Sequence, residues 1–178
     1  HRGMSLQVES LLEAEEQRRL APLAGSEYAS LPIVQPIAPG TERYKLELGR
    51  AERLFRARLY EEALQAYETL RASASGDDGE LVNLRIAECH YFQGRLRDAR
   101  DGVKPYISKA SRQAEALFFH ALAVGDLGDR PEYLRTVRRI VTEFQTERWA
   151  EEALDNLATR YIRGDEDAVT IGAKSNIQ

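Results

Sequence analysis

Adjacent carboxylates are the first candidates for chemistry in this 178-residue sequence. Pairs stand at Glu61 and Glu62, at Asp77 and Asp78, and at Glu151 and Glu152, and an acidic run occupies positions 165–167. Carboxylate oxygens bind calcium or exchange protons, but none of these groups has the spacing of an EF-hand loop. We interpret them as solvated helix starts and loops, and we predict no metal site.

Nucleophiles and bases are few. Cys89 is the only cysteine, so an internal disulfide and a cysteine metal cluster are excluded. Its helical context, RIAECHYF, predicts a small buried side chain. His90 and His120 fall on predicted inner helix faces, which favours hydrogen-bonded core imidazoles. No nucleophile–base set can be assembled, and no glycine-rich phosphate loop occurs, so we predict no catalytic residue and no cofactor.

Amino-acid composition further limits the classes of protein to which this chain could belong. The chain is 43% hydrophobic and 30% charged, with a net charge of −4. No apolar run approaches the roughly 20 residues that cross a bilayer, so we predict no membrane span. Because charges of both signs are interleaved, no uniform basic surface is available to attract nucleic acid.

Four zones follow one another along the chain. In the first zone, residues 1–20, a short amphipathic helix is predicted from Ser5 to Leu20, and His1–Met4 before it are interpreted as a cloning remnant or a processed end. Residues 21–41 contain four of the six prolines and predict an extended segment. We expect residues 31–37 of it to pack against the first helices. Helical periodicity covers 42–168, and 169–178 leave the pattern as an irregular tail.

The third zone divides into pairs of helices. The pairs are predicted at 42–58 and 60–73, at 80–93 and 96–107, and at 112–127 and 131–144. Breaks are indicated by the stretch SASGDDG and by Gly94 and Gly128. Small residues recur where paired helices must touch: Ala51, Ala87 and Ala121 on the first helices, Ala63 and Ala99 on the second.

This pattern resembles the tetratricopeptide repeat, a unit of roughly 34 residues made of two antiparallel helices. YEEALQAY matches it at Tyr60, Ala63 and Tyr67, whereas Val103 replaces the aromatic residue of the second copy and Tyr133 occupies the small site of the third. The resemblance implies an all-α, right-handed superhelix, an α-solenoid of three to four helix pairs. The alternative is a generic helical bundle with accidental periodicity.

A fourth first helix is indicated by residues 144–168. Its predicted inner side carries the following residues: Trp149, Ala150, Ala153, Leu154, Leu157, Ala158 and Tyr161. With the preceding segment, this WAEEAL-containing stretch resembles the helical region of bacterial soluble lytic murein transglycosylases over residues 42–168, although Gln145 stands where that family commonly has proline. In that family the catalytic glutamate lies in a separate lysozyme-like domain with a Glu-Ser motif. Only the dipeptide Glu9-Ser10 occurs here, inside a predicted helix, so we predict that this chain is not itself an enzyme.

First helices line the concave side of such a superhelix. The residues placed there are Leu48, Glu52, Phe55, Arg56, Leu84, Glu88, Tyr91, Phe92, Phe118, Leu122 and Asp126. Aromatic side chains flanked by charges suit a peptide or an extended protein segment. Alternatively, the aromatic residues only close the core between helices.

Two functions remain open. In the first, the chain is the non-catalytic helical scaffold of a periplasmic lytic transglycosylase, which meets peptidoglycan through a catalytic domain that this chain lacks. In the second, it is a self-contained adaptor that binds a protein partner in the periplasm or the cytoplasm. A lysozyme-like domain encoded beyond Ala168 would favour the first, and a stop codon there the second.

Overall fold

The computed structural model describes residue 13 and residues 37–175, with side chains described as far as residue 164. Apart from residue 13, the predicted N-terminal helix lies outside the described residues, as does most of the proline-rich segment. Within the described range the secondary structure is entirely helical, which confirms the all-α prediction. The seven α-helices are α1 (Glu42–Arg56), α2 (Tyr60–Arg71), α3 (Gly76–Phe92), α4 (Leu96–Val103), α5 (Gln113–Asp126), α6 (Arg130–Glu143) and α7 (Arg148–Ser175).

All seven helices belong to one compact unit, Pro36–Gln178. Each helix packs against the next one along the chain, and α3 also contacts α5, as α5 contacts α7. Ile37, the end of the segment predicted to dock, is buried in the same cluster as Tyr44 and Ala51. None of the helices in the described range is both long enough and apolar enough to cross a membrane.

Local signals explain two helix starts. The Thr41 hydroxyl accepts a hydrogen bond from the Tyr44 backbone N–H at 3.2 Å and so caps α1. Asp129 caps α6 in the same way through the Glu132 N–H, and Pro131 lies in the first turn, where its missing N–H costs no hydrogen bond.

Four predicted boundaries are wrong by four residues or more, one of them the start of α7, which lies at Arg148 rather than at residue 144. Helix α3 begins at Gly76 rather than at residue 80, because Asp77 and Asp78 occupy a first helical turn, where the helix dipole favours negative charge. Helix α4 ends at Val103, and a 3₁₀ turn, Lys104–Tyr106, follows because Pro105 cannot donate a backbone hydrogen bond. The tail from residue 169 is helical as far as Ser175, in a stretch without proline.

The turn that joins the two helices of a pair contains the same kind of hydrogen bond in all three pairs. In each, a backbone N–H donates to the carbonyl oxygen five residues earlier: Leu59 to Leu54 at 3.0 Å, Arg95 to His90 at 2.9 Å and Asp129 to Val124 at 2.9 Å. The residue before each donor has a positive φ: Arg58 (62°), Gly94 (78°) and Gly128 (88°). The repeat spacing seen in the sequence is therefore the spacing of one recurring turn.

Small residues allow the paired helices to approach closely. All five alanines predicted at these contacts are fully buried. A Cβ atom built on Gly102 of α4 would lie 2.8 Å from the Cβ of Ala87 in α3. Neither position therefore has room for a larger side chain.

The third pair reverses the sizes of the contacting residues. Tyr133 of α6 is 4% exposed, although its position is small in the other pairs. It lies against Gly125 of α5, where a Cβ would be 3.0 Å from the Tyr133 ring. Its hydroxyl donates to Asn156 Oδ1 at 2.7 Å and connects α6 to α7. A glycine on the partner helix thus makes room for the tyrosine.

The inner face predicted for α7 is only partly correct. Ala150 and Ala153 are buried, but Leu154 is 50% and Tyr161 55% exposed, and Ala158 is also exposed. Among the described helices, α7 packs mainly against α5 and α6. Residues on its opposite side therefore face solvent, despite their helical spacing with the buried ones.

Two substitutions at the recurring turn should change the free energy of unfolding in opposite directions. Gly94→Ala should lower the free energy of unfolding by about 1 kcal/mol, because a positive φ strains any residue with a Cβ. Arg58→Gly should raise it by up to about 1 kcal/mol for the same reason. Urea denaturation measures both changes. Gly49→Ala, within α1, is the control and should stabilise the helix; a loss at Gly49 equal to that at Gly94 would contradict a role of φ.

Overpacking tests the contact between α3 and α4. Ala99→Leu should lower the free energy of unfolding by roughly 1–3 kcal/mol, because the buried site has no space for the added atoms. Ala158→Leu, which makes the same change on the exposed face of α7, should leave thermal unfolding nearly unchanged. Equal melting temperatures for the two variants would refute this packing.

Candidate binding surface

The predicted concave residues separate into two groups. Four of them, Leu84, Glu88, Phe118 and Leu122, are at most 8% exposed, so their predicted place on an open surface is wrong. Helix α5 explains two of these errors: every residue from 114 to 124 is buried, because α3, α4, α6 and α7 all pack around it. The other seven are half-buried or exposed: Leu48, Glu52, Phe55, Arg56, Tyr91, Phe92 and Asp126.

An exposed cluster of apolar side chains lies where the first two helix pairs meet at their turns. Phe92 is 44% exposed, and its ring stacks on Tyr60 with centroids 4.3 Å apart and planes 11° from parallel. Phe55 contacts the Phe92 ring edge to face at 6.2 Å. Leu59, next to Tyr60 in the turn, is 46% exposed. We call Phe55, Leu59, Tyr60 and Phe92 the aromatic patch.

Ring contacts continue from the aromatic patch across the later helices. Phe92 of α3 meets Phe119 of α5 at 5.8 Å, and Phe119 meets Trp149 of α7 at 6.2 Å. The Trp149 ring is covered by the guanidinium of Arg148 at 4.5 Å. Phe119 is buried, so the row anchors the patch in the core at its centre.

Beneath Phe55 lies an ionic network that sequence patterning did not predict. Arg85 of α3 donates from Nε to Glu52 Oε1 of α1 at 3.1 Å and from Nη1 to Glu88 Oε2 at 2.8 Å. The same Nη1 donates to Glu115 of α5. The Arg85 guanidinium also lies 5.1 Å from the Phe55 ring centroid. Arg85 thus joins α1, α3 and α5, which are the first helices of the three pairs, and it packs against the Phe55 ring of the patch.

The carboxyl group of Glu88 is the unusual member of this network. Burial raises its pKa well above the ordinary value, and the neighbouring Glu115 adds to the effect, while Arg85 opposes it. A carboxyl with a raised pKa is suited to donate a proton in catalysis. Glu88 is only 1% exposed, however, so no substrate reaches it in this conformation. Its position favours a structural role between helices.

Tyr67 closes the network on the side of α2. Its hydroxyl donates to Glu52 Oε1, and burial, together with this hydrogen bond, raises the pKa of the phenol. Glu52 therefore accepts from both Tyr67 and Arg85. Because Tyr67 is fully buried, this contact also fixes where α1 lies on its own partner helix.

Further polar pairs link the later first helices. Tyr91 donates to Asp126 at 2.7 Å, and Arg160 donates to the other oxygen of Asp126 at 2.7 Å. Near the start of α3, Asp77 accepts from Arg112 at 2.9 Å, which lowers the pKa of its carboxyl. The start of α3 thus contacts the start of α5, and the end of α3 contacts the end of α5, so these two helices run parallel.

The remaining candidate residues have structural environments. Cys89 is fully buried, as predicted, and burial raises its pKa to about 12. His120 is buried, with Nε2 3.1 Å from Glu132 Oε1, whereas His90 is only half-buried and accepts from Arg95 Nε at 2.9 Å. The core prediction is therefore confirmed for His120 and wrong for His90, which lies beside the turn.

The paired carboxylates are exposed wherever the structure describes their side chains: Glu61, Glu62, Asp77, Asp78, Glu151 and Glu152. The solvated interpretation is confirmed for them, and the side chains of 165–167 lie outside the described range. In residues 37–164, no three His, Cys, Asp or Glu side chains are grouped to hold a metal ion.

Comparison with known proteins gives no match to a family model, to a curated protein or to a solved structure.

Replacing Glu88 should reveal its raised pKa. The folded protein keeps the Glu88 proton that the unfolded chain releases near its ordinary pKa, so this group lowers stability as pH rises from that value toward the folded pKa. Glu88→Gln cannot ionise. Relative to the parent protein, its free energy of unfolding should therefore increase as pH rises above about 4. Chemical denaturation across pH measures the difference.

The exposed carboxylate of Glu151 provides the control for this experiment. Glu151→Gln makes the same chemical change without burial. A stability difference that is independent of pH for Glu88→Gln, or one that follows the Glu151 control, would contradict a role of the buried proton.

Proposed function

We propose that this chain is a non-catalytic helical-repeat scaffold that binds a peptide segment of a protein partner through the aromatic patch. The exposed ring of Phe92 carries the proposal. It is held by Tyr60 and Phe55, so little side-chain freedom remains to be lost on binding. Large rings fixed in this way are typical anchors of protein interfaces.

The absence of a reactive carboxyl at the surface supports a binding role. Burial raises the pKa of Glu88, but this carboxyl group is only 1% exposed. The exposed carboxylates are solvated or paired with arginine, as Asp77 is with Arg112. General acid catalysis needs a proton donor that a substrate can approach, and the buried Glu88 does not meet this requirement.

We further propose that the helix pairs form a right-handed superhelix with the aromatic patch near one edge. The recurring turn at Arg58, Gly94 and Gly128 and the parallel course of α3 and α5 support this arrangement. Repeated pairs that stack with a constant rotation create extended surfaces suited to peptides.

The scaffold would belong to a periplasmic lytic transglycosylase, in which it would position a separate catalytic domain on peptidoglycan. This part of the proposal rests on the resemblance of residues 42–168, including the WAEEAL stretch, whose Ala150 and Ala153 are buried.

Purified chain incubated with sacculi should release no anhydro-muropeptides. A self-contained adaptor is the alternative, and the coding sequence beyond Ala168 distinguishes the two.

Peptide selection tests the binding role directly. A library of displayed random peptides should yield enriched sequences on the immobilised protein, and Phe92→Ser should abolish most of the enrichment because the anchor ring is gone. Leu46→Ser is the matched control, since Leu46 is 71% exposed on α1, away from the patch. The proposal fails if the parent protein enriches nothing, or if Phe92→Ser retains what Leu46→Ser retains.

A further inference from the structure

Three carboxyl groups from different helices surround one guanidinium group beside the aromatic patch. The carboxyl groups that contact Arg85 belong to Glu52 of α1, Glu88 of α3 and Glu115 of α5. Each of these side chains is at most 24% exposed, so water screens their charges only weakly. If all three carboxyl groups were ionised, Arg85 would balance only one of them. Buried charge without a partner is costly, and binding of one proton reduces the excess.

The contacts of Arg85 indicate that this proton lies between Glu88 and Glu115. Arg85 Nη1 donates to Glu88 Oε2 at 2.8 Å and also to Glu115 Oε1, so these two carboxyl groups meet at one nitrogen atom. Burial raises the pKa of Glu88, and its hydrogen bond with Glu115 and the charge of Glu115 raise it further, whereas Arg85 lowers it. Glu52 instead accepts from Tyr67 and from Arg85 Nε, two donors that suit a carboxylate.

The other groups around Glu88 are weakly acidic or uncharged. Tyr60 of α2 and Cys89 of α3 lie close to it: burial is the main reason that their pKa values are raised, and the charge of Glu88 contributes. Helix α4 also packs against α3, and its buried residues, Ala99 and Val103, carry no charge. The state of Glu88 is therefore set mainly by burial and by the cluster around Arg85.

We propose that Glu88 donates its proton to Glu115, that this hydrogen bond holds α3 against α5, and that loss of the proton at raised pH loosens the contact between the two helices. While the proton is bound, one carboxyl group donates and the other accepts. Once it is lost, neither can donate, and two like charges face each other where little water screens them. This inference concerns the scaffold itself and does not depend on the proposed peptide binding.

The aromatic patch spans the same two helices and responds to their separation. Phe92 and Tyr91 of α3 contact the ring of Phe119 in α5, with centroids 5.8 Å and 5.9 Å apart. A shift of α5 relative to α3 changes how Phe119 supports Phe92, whose ring is partly exposed. Raised pH therefore alters the environment of the Phe92 ring.

NMR spectra of protein with ¹³C-labelled glutamate carboxyl groups test the position of the proton. The Glu88 resonance, identified by its absence from Glu88→Gln, should titrate well above the ordinary value of about 4.3. Glu115→Gln should lower this midpoint by about one pH unit or more, because the neighbouring charge is removed and the new amide can donate to ionised Glu88. Titration of Glu88 at its ordinary value in the parent protein would overturn the proposal without any variant.

Glu52→Gln is the matched control for this titration. It removes another carboxylate that is bound to Arg85, but one that belongs to α1 and accepts from Tyr67. The Glu88 midpoint should shift less in Glu52→Gln than in Glu115→Gln. Equal shifts would refute the pairing of Glu88 with Glu115, because the charge of the whole cluster would then determine how tightly the proton is held.

A fluorine probe tests whether the helices respond. In protein labelled with 4-fluorophenylalanine, the resonance of residue 92, identified by its loss in Phe92→Ser, should change with the same pH midpoint as the Glu88 carboxyl group. In Glu88→Gln, which cannot ionise at this position, that change should disappear. A constant resonance of residue 92 while Glu88 titrates would contradict the loosening of the contact. Neither measurement uses a peptide, so the library selection decides the proposed function independently.

Discussion

Close approach of helices at small residues is the constraint on which the rest of the structure depends. Gly102 leaves no room for a Cβ beside Ala87, and the other pairs meet at buried alanines or at Gly125 against Tyr133. Helices held this closely fix the position of the turn that joins them. The turn between α1 and α2 places Tyr60 against Phe92 of α3, so the exposed patch depends on contacts made in the core.

The network around Arg85 supplies specificity that apolar packing lacks. Apolar contacts between alanines are non-directional, whereas the hydrogen bonds from Arg85 to Glu52 of α1 and to Glu115 of α5 depend on the position of each of these helices along α3. Burying these groups opposes folding unless every member has a partner. The protonated state favoured for Glu88 reduces the buried negative charge that a single arginine must balance. In this way the network aligns three helices while α2 joins it through Tyr67.

The aromatic residues form one set of contacts that runs from the core to the surface. Phe119 and Phe118 lie within the core around α5, where they support Trp149. Phe92 extends the same set of ring contacts to the solvent at the turns. Rings held in place by other rings lose little side-chain freedom when they become covered, which is why the binding role is proposed for this part of the surface. Because Phe55 lies on α1, Tyr60 on α2 and Phe92 on α3, the aromatic patch is at the junction of the first two pairs.

The sequence by itself determined the features that depend on neighbouring residues along the chain. Helical periodicity, the spacing of Gly94 and Gly128, and the small residues at Ala87 and Ala99 were sufficient to predict all-helical pairs, since each signal acts within a few residues of itself. Tertiary structure alone decided which side of a helix is covered. Phe92 and Phe118 were assigned to the same surface, yet one is 44% and the other 8% exposed, because four helices surround α5. Arg85 and Glu115 meet across 30 residues of sequence, and periodicity carries no information about such a contact because it depends on how separate helices pack together.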